Sequence, residues 1–404
     1  MKKGTTLKPL VYLQASNFFS GVSNAVVMIM IPWLTLEVTN SPAFAGLVVA
    51  LSSIPSLVVA PFGGILIKRF GSKGISVFAD LMSMLSVLAF PILGLLGQLN
   101  ASTILFFALV GAIFDPLGYT ARKTMIQPVS ESANFEVNRL NGIHEGLLGS
   151  SWIVGPALGA WLIALIGPAN SFYVVSSLFF VAACTVLLIP SLVLKTSSKG
   201  IAHERSSNFS QLTLGFRRIW ADRFMRALLI SVLIIAAIYL PTEAVILPTY
   251  FEDLGKPVDL GIVISVLAAG STITAFAYGW ILKHISERNL IRTAFIGASL
   301  GTIGMSFLPS FWLMLIFALI LGLAWGPFSP YLTSKIQSRY ATDEHPMIFS
   351  AQTALFYAAP PVGMIVVGLA LEAFGTSPTY LGLALIMLLV SLIALISKPI
   401  RTEK

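Results

Sequence analysis

Four carboxyl groups lie deep inside long apolar runs of this sequence, and they are the side chains best placed to do chemistry. They are Asp80, Asp115, Glu145 and Glu243. An ionisable side chain inside a bilayer is costly and is usually kept for function. A carboxyl group in low dielectric also holds a proton more readily than it does in water. The four residues therefore predict the exchange of protons or other ions within an apolar environment.

Glu243 is the only one of these acids in the second half of the chain. It ends the segment Tyr239-Leu240-Pro241-Thr242-Glu243. Pro241 lacks a backbone donor and can break a helix at this point. Broken helices at mid-depth in a membrane often hold binding sites. We predict that Glu243 exchanges protons, and the alternative is a solvated carboxylate near the outer end of its run.

The acids of the first half occur at a depth similar to that of several cations. Asp115 precedes Arg122 by seven residues, two helical turns, so both lie on one face of a helix. This spacing predicts that Asp115 pairs with Arg122 or Arg139 as a gate that closes one side. Asp80 and Glu145 fit such a network equally well as static structural pairs.

The elements that position these residues are predicted to be membrane-spanning helices. The 404 residues are 56% hydrophobic and 10% charged, whereas soluble domains carry about 25% charged residues. About 20 apolar residues suffice to cross a bilayer as a helix. On that basis the sequence predicts an all-α integral membrane protein with twelve spans: 10–36, 43–67, 74–97, 102–121, 140–167, 171–194, 225–249, 260–282, 290–308, 311–334, 348–374 and 378–397.

The positions of the basic residues support an even number of spans. If the N-terminus is cytoplasmic, all of the 25 Lys and Arg residues except Lys256 fall in cytoplasmic segments. An excess of Lys and Arg marks the cytoplasmic side of a membrane protein. We therefore expect a multi-pass protein of the plasma membrane with both termini in the cytoplasm.

The chain also repeats itself. The basic turn after Gly64, with Lys68, returns at Gly279 with Lys283, a step of 215 residues in both cases. Duplicated six-span units with a site between them are a known transporter plan. The sequence thus predicts two pseudo-symmetric six-helix bundles, 1–194 and 224–404, joined by a linker at 195–223. Within the linker, Phe209–Trp220 is either an interfacial helix on the membrane surface or a solvated linker helix.

Several other functions find no support in the sequence. The single cysteine, Cys184, excludes a disulfide within the chain, and the four histidines never fall at metal-ligand spacing. The formal charge of +8 is not clustered on a soluble module, so nucleic acid is not expected as a partner. No phosphate-binding Gly-Lys-Ser/Thr loop is present. We predict a protein that is not an enzyme and that uses no metal or cofactor.

The turn between spans two and three resembles a signature of the major facilitator superfamily of secondary transporters. The family pattern is roughly Gly-x-Leu-x-Asp-(Arg/Lys)-x-Gly-Arg-Lys, and it is matched here by Gly64, Leu66, Arg69, Gly71 and Lys73. In the fifth span, Gly155-Pro156-Ala157-Leu158-Gly159 looks like a motif of exporters in this superfamily. The run Phe114-Asp115-Pro116, followed by Ala121-Arg122, is similar to the macrolide-efflux-like branch of drug:proton antiporters.

Lys68 departs from the family pattern, because it stands at the acidic position. In the family, the acid there lies near the start of span eleven, where a helix N-terminus favours negative charge. Asp343 and Glu344 directly precede span eleven in this chain. We predict a swapped polarity in which Lys68 lies near these two carboxylates when the protein is open to the outside, with Arg69 in the same charge network.

The resemblance implies a secondary active transporter that exports amphipathic small molecules or drugs by alternating access, in exchange for protons. It places span four beside the cavity, which makes Asp115 a second proton-coupling candidate. Alternatives with the same fold are a lipid or lysolipid flippase and an exporter of siderophores or metals. We expect a monomer in the lipid bilayer. Polar and aromatic residues expected to line the cavity are Asn17, Asn24, Tyr239, Trp325, Ser329, Gln352, Phe356 and Tyr357.

Overall fold

The computed structural model describes residues 7–195, 209–341 and 344–397, and every regular element in those ranges is helical. The first half contains α1 (Lys8–Thr39), α2 (Pro42–Phe70), α3 (Ser72–Leu95), α4 (Ala101–Ala133), α5 (Val137–Ile166), α6 (Pro168–Leu187) and α7 (Ser191–Lys195). The second half contains α8 (Phe209–Ala221), α9 (Arg223–Pro241), a wide π-turn (Thr242–Ile246), α10 (Leu247–Asp253), α11 (Pro257–Ile281), α12 (Glu287–Ser306), α13 (Phe311–Trp325), α14 (Phe328–Arg339), α15 (His345–Phe374) and α16 (Thr376–Ile396). The all-α prediction is confirmed.

Most of the predicted spans are helices long and apolar enough to cross a membrane. Within the described residues there are ten: Lys8–Thr39, Ser72–Leu95, Ala101–Ala133, Arg139–Ile166, Pro168–Leu187, Arg223–Asp253, Pro257–Ile281, Phe311–Arg339, Met347–Phe374 and Thr376–Ile396. Helices α2, with 29 residues, and α12, with 20, lie at the two remaining predicted positions. Charged residues in the first turns of α12, among them Arg288 and Arg292, lower its mean hydropathy.

The chain folds into two compact units. The first consists of Met1–Asn40, Leu51–Glu204 and Lys256–Gly261. The second consists of Ser41–Ala50, Arg205–Gly255 and Ile262–Lys404. The start of α2 therefore packs with the second unit, and the start of α11 packs with the first.

The two units use the same pairing of helices. In the first unit, α1 packs against α5 and α6, and α3 packs against α4 and α6. In the second unit, α9 packs against α15 and α16, and α12 packs against α13 and α16. Counted in spans, these are the same four pairs in each half. The internal repeat in the sequence thus corresponds to the same arrangement of packed helices in both units, as expected for two pseudo-symmetric bundles.

Glycines allow the equivalent helix pairs to approach closely. A Cβ atom on Gly155 of α5 would lie 2.4 Å from the Cβ of Ala25 on α1. A Cβ atom on Gly363 of α15 would lie 2.3 Å from the carbonyl oxygen of Ala237 on α9. Small residues permit this kind of backbone approach between membrane helices. The helix packing inside each unit therefore depends on glycine at a corresponding place.

Candidate functional site

A buried ion pair joins three helices of the first unit. Nη1 of Arg122 on α4 donates to both carboxylate oxygens of Asp80 on α3, at 3.0 and 2.9 Å. Nη2 of Arg122 donates to Ser20 Oγ on α1 at 2.8 Å, and this hydroxyl donates to Asp80 at 3.0 Å. The side chains of Arg122 and Asp80 are each 3% exposed. Helices α3 and α1 both pack against α4, so helix packing brings the three residues together.

Asp115 does not pair with Arg122 as the sequence predicted. Its Oδ1 instead accepts a hydrogen bond from Asn24 Nδ2 of α1. The physical reason is that the Arg122 guanidinium is already held by Asp80 and Ser20, which face it from neighbouring helices. Ser20, which contacts Asp80 and Arg122, and Asn24, which contacts Asp115, lie one helical turn apart on α1, so these groups belong to one polar cluster.

The other predicted members of this charge network lie at its edge. Glu145 pairs with Lys123 at 2.8 Å, but their side chains are 47% and 42% exposed. Lys123 also lies over the ring of Tyr119, 4.7 Å from its centroid. Arg139 lies over Phe135, with 5.2 Å between the guanidinium and the ring centroid. Sequence reasoning missed Lys123, although it directly follows Arg122 in the same basic segment.

Asn17 has a partner that the sequence did not reveal. Its Nδ2 donates to the backbone oxygen of His144 on α5 at 2.9 Å, and both residues are buried. Sequence reasoning considered His144 only as a metal ligand and therefore missed its place beside α1. The signal that could have found it is a histidine one residue before Glu145 at the start of an apolar span.

Glu243 lies in the π-turn that interrupts the seventh span. Pro241 ends α9 and Pro248 lies in the first turn of α10, and neither can donate a backbone hydrogen bond. The backbone N–H of Leu247 reaches the oxygen of Thr242, five residues back. Such wide turns inside helices are frequent at functional sites. The break predicted from Pro241 is therefore present.

An aromatic cluster is joined to the Glu243 carboxyl group through Tyr239. The Tyr239 hydroxyl donates to Glu243 Oε1 at 2.9 Å, and Glu243 is 8% exposed. The ring of Tyr239 stacks on Trp325 of α13, with centroids 4.7 Å apart and planes 12° from parallel. Phe328 of α14 continues the cluster, 5.7 Å from Trp325. Two predicted cavity residues thus join the predicted proton site.

For the other predicted cavity residues, no hydrogen bond or ring contact with Glu243 or its aromatic neighbours is found among the described residues. Ser329 is exposed on α14, where its backbone oxygen accepts from Thr333. Gln352 and Phe356 are half-buried on α15. The side chain of Tyr357 lies outside the described part of the structure.

The predicted pairing of Lys68 falls outside the described residues, because Asp343 and the Lys68 side chain are not among them. Glu344 is described, and it pairs with Arg218 of α8 at 2.6 Å. Arg69 is exposed and lies over the ring of Phe70, 5.3 Å from its centroid.

Two further ion pairs of the second unit were not predicted. Lys335 of α14 pairs with Glu287 of α12 at 3.0 Å. Arg339 of α14 pairs with Asp222 at 2.9 Å, and Asp222 also accepts from the first N–H groups of α9. Burial alone would raise the pKa of Asp222, but the bonds from Arg339 and the α9 backbone hold it below its ordinary value. Asp222 therefore acts as a charged cap at the start of α9.

Multiple membrane-length helices with charged and carboxyl groups buried between them define a multi-pass membrane transporter. The sequence model of the Major Facilitator Superfamily matches residues 15–357 and 244–404. The chain belongs to this superfamily.

Individual proteins with similar sequences and folds agree with this assignment. The multidrug efflux pump Tap of Mycolicibacterium fortuitum is 30% identical, over 97% of this chain and 96% of that protein. Macrolide efflux protein A of Streptococcus pyogenes is 24% identical, over 91% and 90% of the two chains. The crystal structure of the nucleoside transporter NupG superposes with a TM-score of 0.78 at 12% identity, over 98% of this chain and all (100%) of that one. The last comparison concerns the fold alone.

Proposed function

We propose that this transporter exports amphipathic small molecules, drugs among them, in exchange for protons carried by Glu243. The names of two similar proteins, a multidrug efflux pump and a macrolide efflux protein, support the export of organic molecules. The proton part rests on one observation, the burial of Glu243 in the broken seventh span with Tyr239 donating to its carboxyl group.

The chemistry around Glu243 suits an exchange of proton for substrate. A neutral carboxylic acid is far less costly in apolar surroundings than a bare carboxylate. The half-buried ring of Trp325 stacks on Tyr239, which donates to this acid, and aromatic surface binds the apolar part of an amphipathic molecule. In our proposal, substrate entering beside the stack displaces the proton, and a proton arriving from the other side of the membrane releases the substrate.

The buried charges of the first unit are proposed to act as a gate. Arg122 is held by Asp80 in this structure, while Asp115, seven residues before Arg122 on the same helix, is hydrogen-bonded to Asn24. A change of partner between the two carboxylates would accompany a change of conformation. We propose that residues 1–194 and 224–404 are the two moving halves, joined by 195–223. The proposal also includes a monomer in the plasma membrane with both termini in the cytoplasm, as the distribution of Lys and Arg indicates.

Transport in proteoliposomes with an imposed pH gradient tests the role of Glu243. We expect Glu243→Gln to reduce gradient-driven transport at least about ten-fold, since proton coupling needs a titratable group. Asp253→Asn is the matched control, because Asp253 is an exposed acid at the end of the same broken span. Transport by Glu243→Gln that responds to the gradient as strongly as the wild type does would refute the proposal.

The gate is tested in the same vesicles with Asp115→Asn. We expect this variant to transport more slowly while its response to the pH gradient is kept. A wild-type rate and an unchanged balance between inward- and outward-facing forms would show that Asp115 is not part of the gate.

A lipid flippase is the second candidate, and one feature favours it. A groove of about 410 Å³ with an entirely apolar lining lies between α9, α15 and α16. Val362 and Val366 on its wall are 63% and 57% exposed, so an acyl chain can reach it from the side. Translocation of a fluorescent lysolipid by the same vesicles, without any dependence on Glu243, would favour this function.

For a metal exporter no comparable feature is found, since no group of three potential metal ligands occurs in the described residues.

A further inference from the structure

The amphipathic helix α8 has a fixed position relative to the membrane. It ends at Ala221, and after the single residue Asp222 the membrane-length segment Arg223–Asp253 begins. Nη1 of Arg226, in the first turn of α9, donates to the Trp220 backbone oxygen at 2.8 Å, which ties the two helices together. The C-terminal end of α8 must therefore lie at the membrane surface where α9 enters the bilayer.

One face of α8 is held by the second unit. A Cβ atom on Gly215 would lie 2.4 Å from the backbone oxygen of Met347, so α8 and the first turns of α15 are in close backbone contact. Ile219, one turn further, is 1% exposed. Arg218 pairs with Glu344 just before α15 begins. These contacts fix the rotation of α8 about its axis and so determine which side chains point away.

The opposite face carries apolar and cationic groups together. Leu214 is 47% exposed, Trp220 is 57% exposed, and Arg217 between them is exposed as well. Their spacing of three residues places all three on one side of the helix. Tryptophan is enriched at the headgroup level of membranes, and arginine reaches from there toward polar groups.

Among the described residues of α8 and the start of α9, the exposed charged groups of this face are cations. Arg217 and Arg223 are both exposed. Asp222 is the only acid between residues 209 and 226, and its carboxylate is bound by Arg339 and by the α9 backbone. A positive surface at the level of the lipid headgroups complements anionic phospholipid.

We propose that Leu214, Arg217 and Trp220 form a binding surface for the headgroups of anionic phospholipids in the leaflet where α9 begins. The guanidinium of Arg217 binds the lipid phosphate, while Trp220 and Leu214 enter the interface beside it. The proposal does not depend on which substrate the transporter carries.

Fluorescence quenching of the full-length protein in nanodiscs tests the proposal. The probes are brominated phosphatidylglycerol and brominated phosphatidylcholine, added at equal mole fraction to a phosphatidylcholine bilayer. The chain has seven tryptophans, so the signal of Trp220 is the difference between the wild type and Trp220→Phe. We expect Trp220 to be quenched at least about two-fold more by the anionic lipid, and this preference to disappear in high salt.

Two arginine variants show whether the lipid preference arises from the charge of α8 or from the net charge of the whole protein. Arg217→Gln should bring the ratio of quenching by the two lipids close to one, because one arginine near a charged membrane surface changes lipid binding about five-fold. Arg288→Gln is the matched control, because Arg288 is an exposed arginine on a different helix, α12. We expect it to leave the quenching of Trp220 unchanged.

Two results would overturn the proposal, and both come from the wild-type protein. Equal quenching by the two lipids at low salt would show a helix that lies on the bilayer without binding anionic headgroups. No quenching by either lipid would show that this face points to water and is open to a soluble partner instead.

Discussion

At the scale of single residues, the buried pair of Arg122 and Asp80 makes a clear prediction about stability. Removing one partner from a buried ion pair leaves an uncompensated charge and typically costs about 3–5 kcal/mol. Asp80→Asn should therefore strongly lower the thermal stability of the purified protein. The double variant Asp80→Asn/Arg122→Met should recover part of the loss, because the buried guanidinium that Asp80→Asn leaves without its carboxylate is then removed as well. A double variant that is destabilised by the sum of both single effects would contradict this account.

Asp222 gives a prediction for pH. Its folded-state pKa is below the ordinary value of 3.8, so the ionised carboxylate stabilises the protein above that pH. This contribution is lost as the pH falls through the lower folded-state pKa. Asp222→Asn keeps an acceptor at the cap and should cost no more than about 1 kcal/mol at neutral pH, as usual for a partly exposed pair. Thermal unfolding measured from neutral to about pH 3 should show the wild type and the variant converging.

Asp222→Ala distinguishes the cap from the ion pair. It removes the acceptor for the N–H groups of Phe224 and Met225, and losing such a cap costs about 1 kcal/mol in addition. This part of the loss does not depend on charge and should persist at low pH. Identical behaviour of the two variants at every pH would rule out the capping role.

The sequence identified the charged residues of this cluster, but it did not predict which of them form pairs. Asp80, Asp115 and Arg122 stood out because charge is rare in apolar runs; Asp80 and Arg122 form a buried pair, and Asp115 is half-buried. Their pairing was not predictable, since spacing along α4 gives one face of one helix. The residue opposite that face depends on how α1 and α3 pack, and that depends on long-range contacts.

At the scale of helices, two of the glycines of α5, Gly155 and Gly142, allow a matched test of packing. Gly155→Ala places a Cβ atom 2.4 Å from that of Ala25, whereas a Cβ atom on Gly142 meets nothing within 4 Å. Overpacking of this kind costs about 1–3 kcal/mol. In contrast, Gly142→Ala should be neutral or stabilising by up to about 1 kcal/mol, because alanine favours the helix. Thermal unfolding of both variants in detergent measures the difference, and equal stability would show that α1 and α5 can separate freely.

The broken spans show the limit of prediction for helices. Pro241 indicated that a backbone donor is missing, and a break is present there. The width of the π-turn was not predictable, because a proline does not determine how the following N–H groups find new acceptors. The tenth span is interrupted in a similar way at Gly326-Pro327, between α13 and α14. The hydropathy pattern alone predicts a single uninterrupted span there.

At the scale of the whole molecule, the internal repeat was the most informative feature of the sequence. A step of 215 residues relates the two basic turns, and the same pairs of helices pack in both units. Even the short connections correspond. Gly167 between α5 and α6 has a φ of 81°, and Gly375 between α15 and α16 has a φ of 78°, a region of backbone conformation that favours glycine.

The repeat also predicts the orientation of the protein in the membrane. A parallel duplication with six spans in each unit places the turns near Ser72 and His284 on the same side, and the segment around Lys256 on the other. Cys184 is the only native cysteine, so Cys184→Ala supplies a background without thiols. In that background we expect a membrane-impermeant maleimide added to intact cells to label Lys256→Cys but neither Ser72→Cys nor His284→Cys. After the cells are opened, all three should react.

The expected labelling pattern depends on the number of membrane crossings between Ser72, Lys256 and His284, and it does not depend on the functional site. Five membrane crossings are predicted between Ser72 and Lys256, and α11 makes a single crossing between Lys256 and His284; neither number changes with substrate or pH. His284 and Lys256 are both exposed, so a failure to react cannot be assigned to burial within the protein. Labelling of Ser72→Cys and His284→Cys from opposite sides would mean an odd number of crossings between the two basic turns. The parallel repeat, and with it the assignment of two equivalent halves, would then be wrong.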